Sequence, residues 1–310
     1  MKHLAILLSL VCLVATPTHA QEKAKAKGSA RKTPPKLTSA VVKNEERLYK
    51  TTPQGELKLH LSFPADWRPE DKRPGAVFFF GGGWTSGSYK QFTSLCDYLA
   101  SRGIVAASAD YRIKSIHKTK PDACVEDAKS AVRWMRAHAA ELGIEPGKLI
   151  VGGGSAGGHL AACTATIEGF NAASDPPSIS AVPNALVLFN PAVNIGTLAR
   201  QRGASAEDIA AADAITPNTF IKAGLPPSIQ FFGTDDKLKV GGDEFIAKAR
   251  ALGVRAEMWT AANQPHGFFN ASPWIQLTAL KVDEFLTSLG YLSGEPTIKL
   301  PIAAPSLKSE

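Results

Sequence analysis

Three short stretches of this 310-residue chain carry side chains that could perform acyl transfer. The first is Gly153-Gly154-Ser155-Ala156-Gly157, a G-x-S-x-G string. Leu149-Ile150-Val151 before it reads as a strand, and the small residues from Ser155 to Ile167 read as a helix. A serine on such a strand–turn–helix junction is held in tight backbone geometry, with its hydroxyl raised above the strand ends. Flanking glycines leave room for the turn. The helix start aims backbone N–H groups, that of Ala156 among them, at a developing oxyanion.

A serine hydroxyl is a weak nucleophile without a base, and the base needs a third group to orient it. In the strand–turn–helix setting the expected chain order is Ser, then Asp or Glu, then His, each in a loop after a later strand. Gly233-Thr234-Asp235-Asp236 follows an apparent strand at 228–232. Gln264-Pro265-His266-Gly267-Phe268 follows another at 254–259. Among the five histidines beyond residue 20, His60 falls in a strand, His138 on a long helix and His117 in a lysine-rich loop. His159 lies one turn after Ser155 and is expected to pack inside. His266 is therefore the expected base. Asp236 fits the acid's spacing better, with Asp235 as the alternative.

A second source of oxyanion donors is Phe80-Gly81-Gly82-Gly83-Trp84, after an apolar run at Ala76–Phe80. Glycines there let the backbone approach a carbonyl and offer the amides of Gly82 and Gly83 beside that of Ala156. A phosphate loop is excluded, because Gly87-Ser88-Tyr89 lacks the Gly-Lys-Ser/Thr ending. Gly152-x-Gly154-x-x-Gly157 also spells a dinucleotide fingerprint. The acid at the required distance, Asp175, lies in a loop with no strand before it.

The elements that must position these groups alternate. Leu57, Leu59, Leu61 and Phe63 have strand period, and Pro53-Gln54-Gly55 before them is a turn, so a hairpin is expected. Further strands are read at 76–80, 104–109, 149–151, 185–189, 228–232 and 254–259. Helices are read at 91–102, 121–142, 155–167, 241–252 and 273–289. Such alternation predicts an α/β fold: a mostly parallel sheet with an antiparallel N-terminal hairpin and helices on both faces. Residues 194–226 break the rhythm and are expected to be a short cap insertion, polar and without a large apolar lid.

Residues 1–20 read as a secretory signal peptide: Lys2, an apolar run from Leu4 to Ala15, then Thr18-His19-Ala20 with cleavage after Ala20. The run is too short to span a bilayer. Residues 21–40 hold six bases, one acid and one large apolar residue, Leu37, and are expected to form a basic disordered linker. With Lys2, that linker accounts for nearly all of the +7 net charge, leaving +1 for the rest. This removes the argument for a nucleic-acid partner. The domain organisation expected is signal peptide 1–20, linker 21–40, one catalytic domain 41–292 and a tail 293–310. Of the three mature cysteines, Cys163 is expected to be a buried thiol, and a Cys96–Cys124 bridge stays open.

Gly81-Gly82-Gly83-Trp84, Asp110-Tyr111-Arg112, Gly154-Ser155-Ala156-Gly157-Gly158-His159 and His266-Gly267-Phe268 together resemble the α/β-hydrolase esterases. More narrowly, they resemble the hormone-sensitive-lipase-like carboxylesterases and the secreted bacterial acetylxylan and feruloyl-type esterases. The resemblance spans about residues 45–292. It implies an α/β-hydrolase fold, a Ser155–Asp236–His266 triad, an oxyanion hole of Gly82, Gly83 and Ala156, and no metal or cofactor. It further implies a secreted or periplasmic enzyme acting on a small ester or an acylated carbohydrate, with Trp84 as a candidate substrate contact. A prolyl-oligopeptidase-like peptidase shares the triad order but normally carries a large extra domain, and a non-catalytic binding protein would be expected to lose a triad member. Many relatives have a loop-bracing histidine before the three glycines, where this chain has Phe80.

Overall fold

A computed structural model describes residues 35–40 and 42–310. Residues 1–20, read above as a signal peptide, and most of the expected linker at 21–40 lie outside the described residues. The chain opens with β1 (Lys43–Thr52) and β2 (Gly55–Phe63), an antiparallel hairpin. There follow β3 (Arg73–Phe79), α1 (Thr93–Ser101), β4 (Val105–Ala109), a one-turn α2 (Lys114–His117) and α3 (Pro121–Ala137). Next come β5 (Ile144–Gly154), α4 (Ala156–Thr166), β6 (Ala185–Phe189), α5 (Ile195–Gln201) and α6 (Ala206–Ala214). The last elements are β7 (Ser228–Gly233), α7 (Lys239–Ala251), β8 (Ala256–Ala261), α8 (Trp274–Ser288) and β9 (Lys308–Ser309).

The strands form one nine-stranded sheet in the order β1-β2-β4-β3-β5-β6-β7-β8-β9. Pairing is parallel from β4 through β8 and antiparallel at β1/β2, β2/β4 and β8/β9. The central strands are apolar on both faces because helices cover both. Val77, Phe79, Val151 and Leu188 face one core with residues of α3, α4 and α7. Ala76, Phe78, Ile150 and Val187 face the other with residues of α1 and α8. The period of two along each strand thus sorts neighbouring residues into opposite layers.

The structure departs from the sequence pattern in several places, among them β5, which runs from Ile144 to Gly154 where only 149–151 read as strand. The helix read to 142 ends at Ala137. Ala139 and Leu142 stay buried and keep the apolar period, but in a turn where Gly143 has φ +63° and Ile144 N–H bonds Ala139 O at 2.9 Å. The end of the linker is anchored, with Leu37 buried and its N–H donating to Ser94 Oγ at 3.0 Å. The C-terminal tail adds the edge strand β9, after which Glu310 N–H bonds Met258 O at 3.0 Å. The cap insertion forms α5 and α6. Ser205 caps α6 by accepting from Asp208 N–H, and Thr216 Oγ1 ties the two helices by accepting from Gly196 N–H at 2.9 Å.

Candidate active site

Ser155 sits between β5 and α4 at φ 53° and ψ −116°, a conformation that L-residues avoid unless their surroundings impose it. Its N–H donates to Phe189 O on β6 at 2.8 Å, and its C=O accepts from Ala192 and His159 N–H. The turn can be this tight because Gly157 lies against β3: a Cβ there would collide with the Phe79 carbonyl oxygen.

His266 follows β8, and its ring bridges two partners. Nε2 lies 2.8 Å from Ser155 Oγ, and Nδ1 lies 2.7 Å from Asp236 Oδ2. Asp236 follows β7 and is buried, and its other oxygen accepts from Leu238 N–H at 2.9 Å. A carboxylate can only accept, so the Asp236 contact puts the imidazole proton on Nδ1. The Nε2 lone pair is then left facing the serine hydroxyl. Asp235 is exposed and turned away, its N–H on Gln264 O and its carboxylate beside Thr234. Of the two adjacent acids, the structure therefore brings Asp236 to His266.

The glycine loop stands across from this triad. Gly82 has φ +137°, and a Cβ on it would collide with the Ser86 carbonyl oxygen. Among the described residues, the N–H groups of Gly82, Gly83 and Ala156 have no hydrogen-bond acceptor. Ala156 is the first residue of α4, where N–H groups are unpaired by construction. The three amides are thus available to a ligand oxygen.

Phe80 does not leave the loop slack. Its ring is buried and stacks on Tyr111 at 4.2 Å, and the Tyr111 hydroxyl donates to Phe80 O at 2.7 Å. The second residue of Asp110-Tyr111-Arg112 therefore supports the loop from below. Arg112 in turn is locked by both oxygens of the fully buried Asp127.

Trp84 is half-buried, and its indole N–H donates to His159 Nδ1 at 3.3 Å. Any contact it makes with a substrate is therefore through the ring. His159 is wholly buried and donates from Nε2 to Ile215 O, just after α6 in the cap, at 2.7 Å. With one nitrogen donating and the other accepting, the ring is neutral, and burial pulls its pKa down to about 4. His159 thus packs inside, as its position on the helix implies, and joins the glycine loop to the cap. Cys96, Cys124 and Cys163 are all buried and unpaired, and burial pushes each thiol up, which leaves them inert. Among the described residues, no three His, Cys, Asp or Glu side chains converge to hold a metal ion.

Sequence reasoning passed over Gln91, Asn190 and Asn270, and it assigned Tyr111 no role. Gln91 Oε1 accepts from Gly81 N–H at 2.6 Å, and Asn190 Oδ1 accepts from Gly267 N–H at 3.2 Å, next to His266. Polar residues in loops carry no periodic signal that would single them out.

The BD-FAE family profile matches residues 63–240, more than half of the chain. The chain belongs to the BD-FAE family. It is similar to esterase 2 of Thermogutta terrifontis with butyrate bound, at 41% identity and TM-score 0.76 over 81% of this chain and 96% of that one. The same esterase phosphorylated by paraoxon is 44% identical, with TM-score 0.75 over 81% and 96% of the two chains. Carboxylesterase NlhH of Mycobacterium tuberculosis is 26% identical over 297 residues, 86% of this chain and 88% of its own length. The protein is a serine carboxylesterase of the α/β-hydrolase fold. No helix among its described residues is long and apolar enough to cross a membrane.

Proposed function

We propose that this esterase cleaves short-chain or carbohydrate-linked acyl esters, of acetyl or feruloyl type, through an acyl-enzyme on Ser155. The observation that carries the reading is the unbroken path Ser155 Oγ–His266–Asp236, with contacts of 2.8 and 2.7 Å. His266 Nε2 takes the hydroxyl proton as Oγ attacks the ester carbonyl. The N–H groups of Gly82, Gly83 and Ala156 hold the oxyanion, which forms where no side chain can intrude. His266 then returns the proton to the departing alcohol. In the second half, His266 deprotonates a water that attacks the acyl carbonyl, and Ser155 is released. Asp236 keeps the imidazole in the required tautomer and stabilises the imidazolium.

A short acyl group is favoured by the cap. α5 and α6 are brief, α6 buries no side chain, and neither offers a broad apolar lid for a long chain. The T. terrifontis esterase described above was captured with butyrate and, in another structure, with propionate. The export signal read at residues 1–20 suits deacylation of extracellular or periplasmic saccharide fragments. A half-buried Trp84 beside the glycine loop offers an aromatic face to a sugar or an aromatic acyl group.

The test is a series of p-nitrophenyl acetate, butyrate and palmitate, run beside acetylated xylan and methyl ferulate. Activity should be highest on the short or saccharide-linked esters and absent from Ser155→Ala. Preference for palmitate would overturn the substrate reading, and activity in Ser155→Ala would overturn the site.

A further inference from the structure

The peptide unit between Phe80 and Gly81 is gripped on both edges. Its carbonyl accepts from Tyr111 Oη at 2.7 Å, and its N–H donates to Gln91 Oε1 at 2.6 Å. This peptide leads directly into Gly82 and Gly83, so its orientation decides where their N–H groups point. Gln91 does not stop there. Its Nε2 donates to Asn270 Oδ1 at 2.8 Å, and Asn270 Nδ2 donates to Gly267 O at 2.9 Å. Gly267 is the residue after His266.

The direction of each amide is forced. Gly267 O can only accept, so Asn270 must present Nδ2 to it and Oδ1 to Gln91. Gln91 must then present Nε2 to Asn270, which leaves Oε1 for the N–H of Gly81. Both ends of the Gln91 side chain demand the same orientation, so neither amide can flip without losing a bond. The pair lines a small, mostly apolar cavity together with Leu37, Phe92, Phe189 and Phe269. Gln91 itself ends a short 3₁₀ turn, Tyr89–Gln91, anchored by the Ser108 hydroxyl on Tyr89 O at 2.8 Å.

We propose that Gln91 and Asn270 are positioning residues, a strut that sets the glycine loop and the histidine loop at a fixed separation. The two loops come from opposite ends of the chain, 179 residues apart at the Gln91–Asn270 contact. They must close on the same tetrahedral carbon, one holding its oxygen and the other handling its proton. Neither amide touches the reacting atoms. The proposal rests on the reading of Gly82, Gly83 and His266 given above.

The test compares Gln91→Ala, Asn270→Ala, the double variant and Gln91→Glu on p-nitrophenyl butyrate, with thermal unfolding measured on each. Each alanine variant should lose roughly 10–100-fold in kcat, because small misplacements in a site of this kind are costly. KM should move by no more than about twofold, and the double variant should be about as slow as the slower single one. In Gln91→Glu, the carboxylate faces Asn270 Oδ1 and cannot donate until it is protonated. The ratio of its kcat to that of the parent should therefore rise as pH falls, a response that a packing defect would not give. That ratio also decides the matter if an alanine variant fails to fold. Unchanged kcat, multiplicative single effects, or a flat Gln91→Glu ratio would each overturn the strut. A fault in the underlying site reading would look different: Ser155→Ala or His266→Ala would stay active.

Discussion

Asp236→Asn probes the site at its most constrained point. The carboxylate uses both oxygens as acceptors, Oδ2 from His266 Nδ1–H at 2.7 Å and Oδ1 from Leu238 N–H at 2.9 Å. An asparagine has only one oxygen. If that oxygen stays on Leu238 N–H, the amide NH2 faces His266 and donates to Nδ1. The ring proton is then forced onto Nε2, where it points at Ser155 Oγ and blocks proton abstraction. If the amide flips, its NH2 meets the Leu238 N–H, two donors face to face in a buried site, which costs about 1–3 kcal/mol. The Leu238 amide therefore selects the inactive tautomer. The expected loss is about 10⁴ in kcat, a barrier increase of ~5.5 kcal/mol. The assay is kcat on p-nitrophenyl butyrate, with circular dichroism to verify folding and Asp235→Asn as the companion variant. Asp235 is exposed and makes no contact with His266, so its variant should match the parent. A folded Asp236→Asn within tenfold of the parent, or an equal loss in Asp235→Asn, would refute the reasoning.

Two further outcomes follow from the loop and its support. Gly82→Ala places a Cβ against the Ser86 carbonyl at φ +137°, so the loop must move, and kcat should fall by roughly 10²–10³ together with a measurable drop in thermal stability. His159 is held neutral, its pKa lowered from 6.5 to about 4 by burial, so between those values only the unfolded chain takes up a proton. That contribution to stability is complete above pH 6.5 and drains away as pH falls towards 4, on the order of 3 kcal/mol in all. Urea unfolding of parent and His159→Gln across this range should show the parent losing that much more, and parallel curves would contradict it.

The chemistry was more legible in the sequence than its scaffolding. Ser155 and His266 stand in loops whose glycines and positions after strands announce them, and the layered sheet follows from runs such as Ala76–Phe80 and Ala185–Phe189. Asp235 and Asp236 could only be ranked, because adjacent side chains differ in direction and direction is a tertiary fact. The Phe80–Tyr111 stack replaces an expected histidine by packing, and no local pattern encodes such an exchange. Gln91 and Asn270 gain meaning only from each other. The helix pattern ran on to Leu142 because a buried turn can keep an apolar period without keeping helical hydrogen bonds. Leu37, a single apolar residue in a basic stretch, and β9, two residues long, were too short to register as elements.

The order of strands in the sheet has a kinetic consequence. β3 and β5 are neighbours at its centre, yet the glycine loop, the serine, the acid and the base arrive at four widely spaced points of synthesis. Ser155 and His266 are separated by 111 residues, and the strands that carry them to each other pair one after another across the sheet. A nascent chain that stops before β8 holds Ser155 but lacks His266. Folding dominated by such distant pairings is slow. Recovery of turnover during refolding should therefore trail the recovery of helical signal, so that hydrolysis itself times the last docking step.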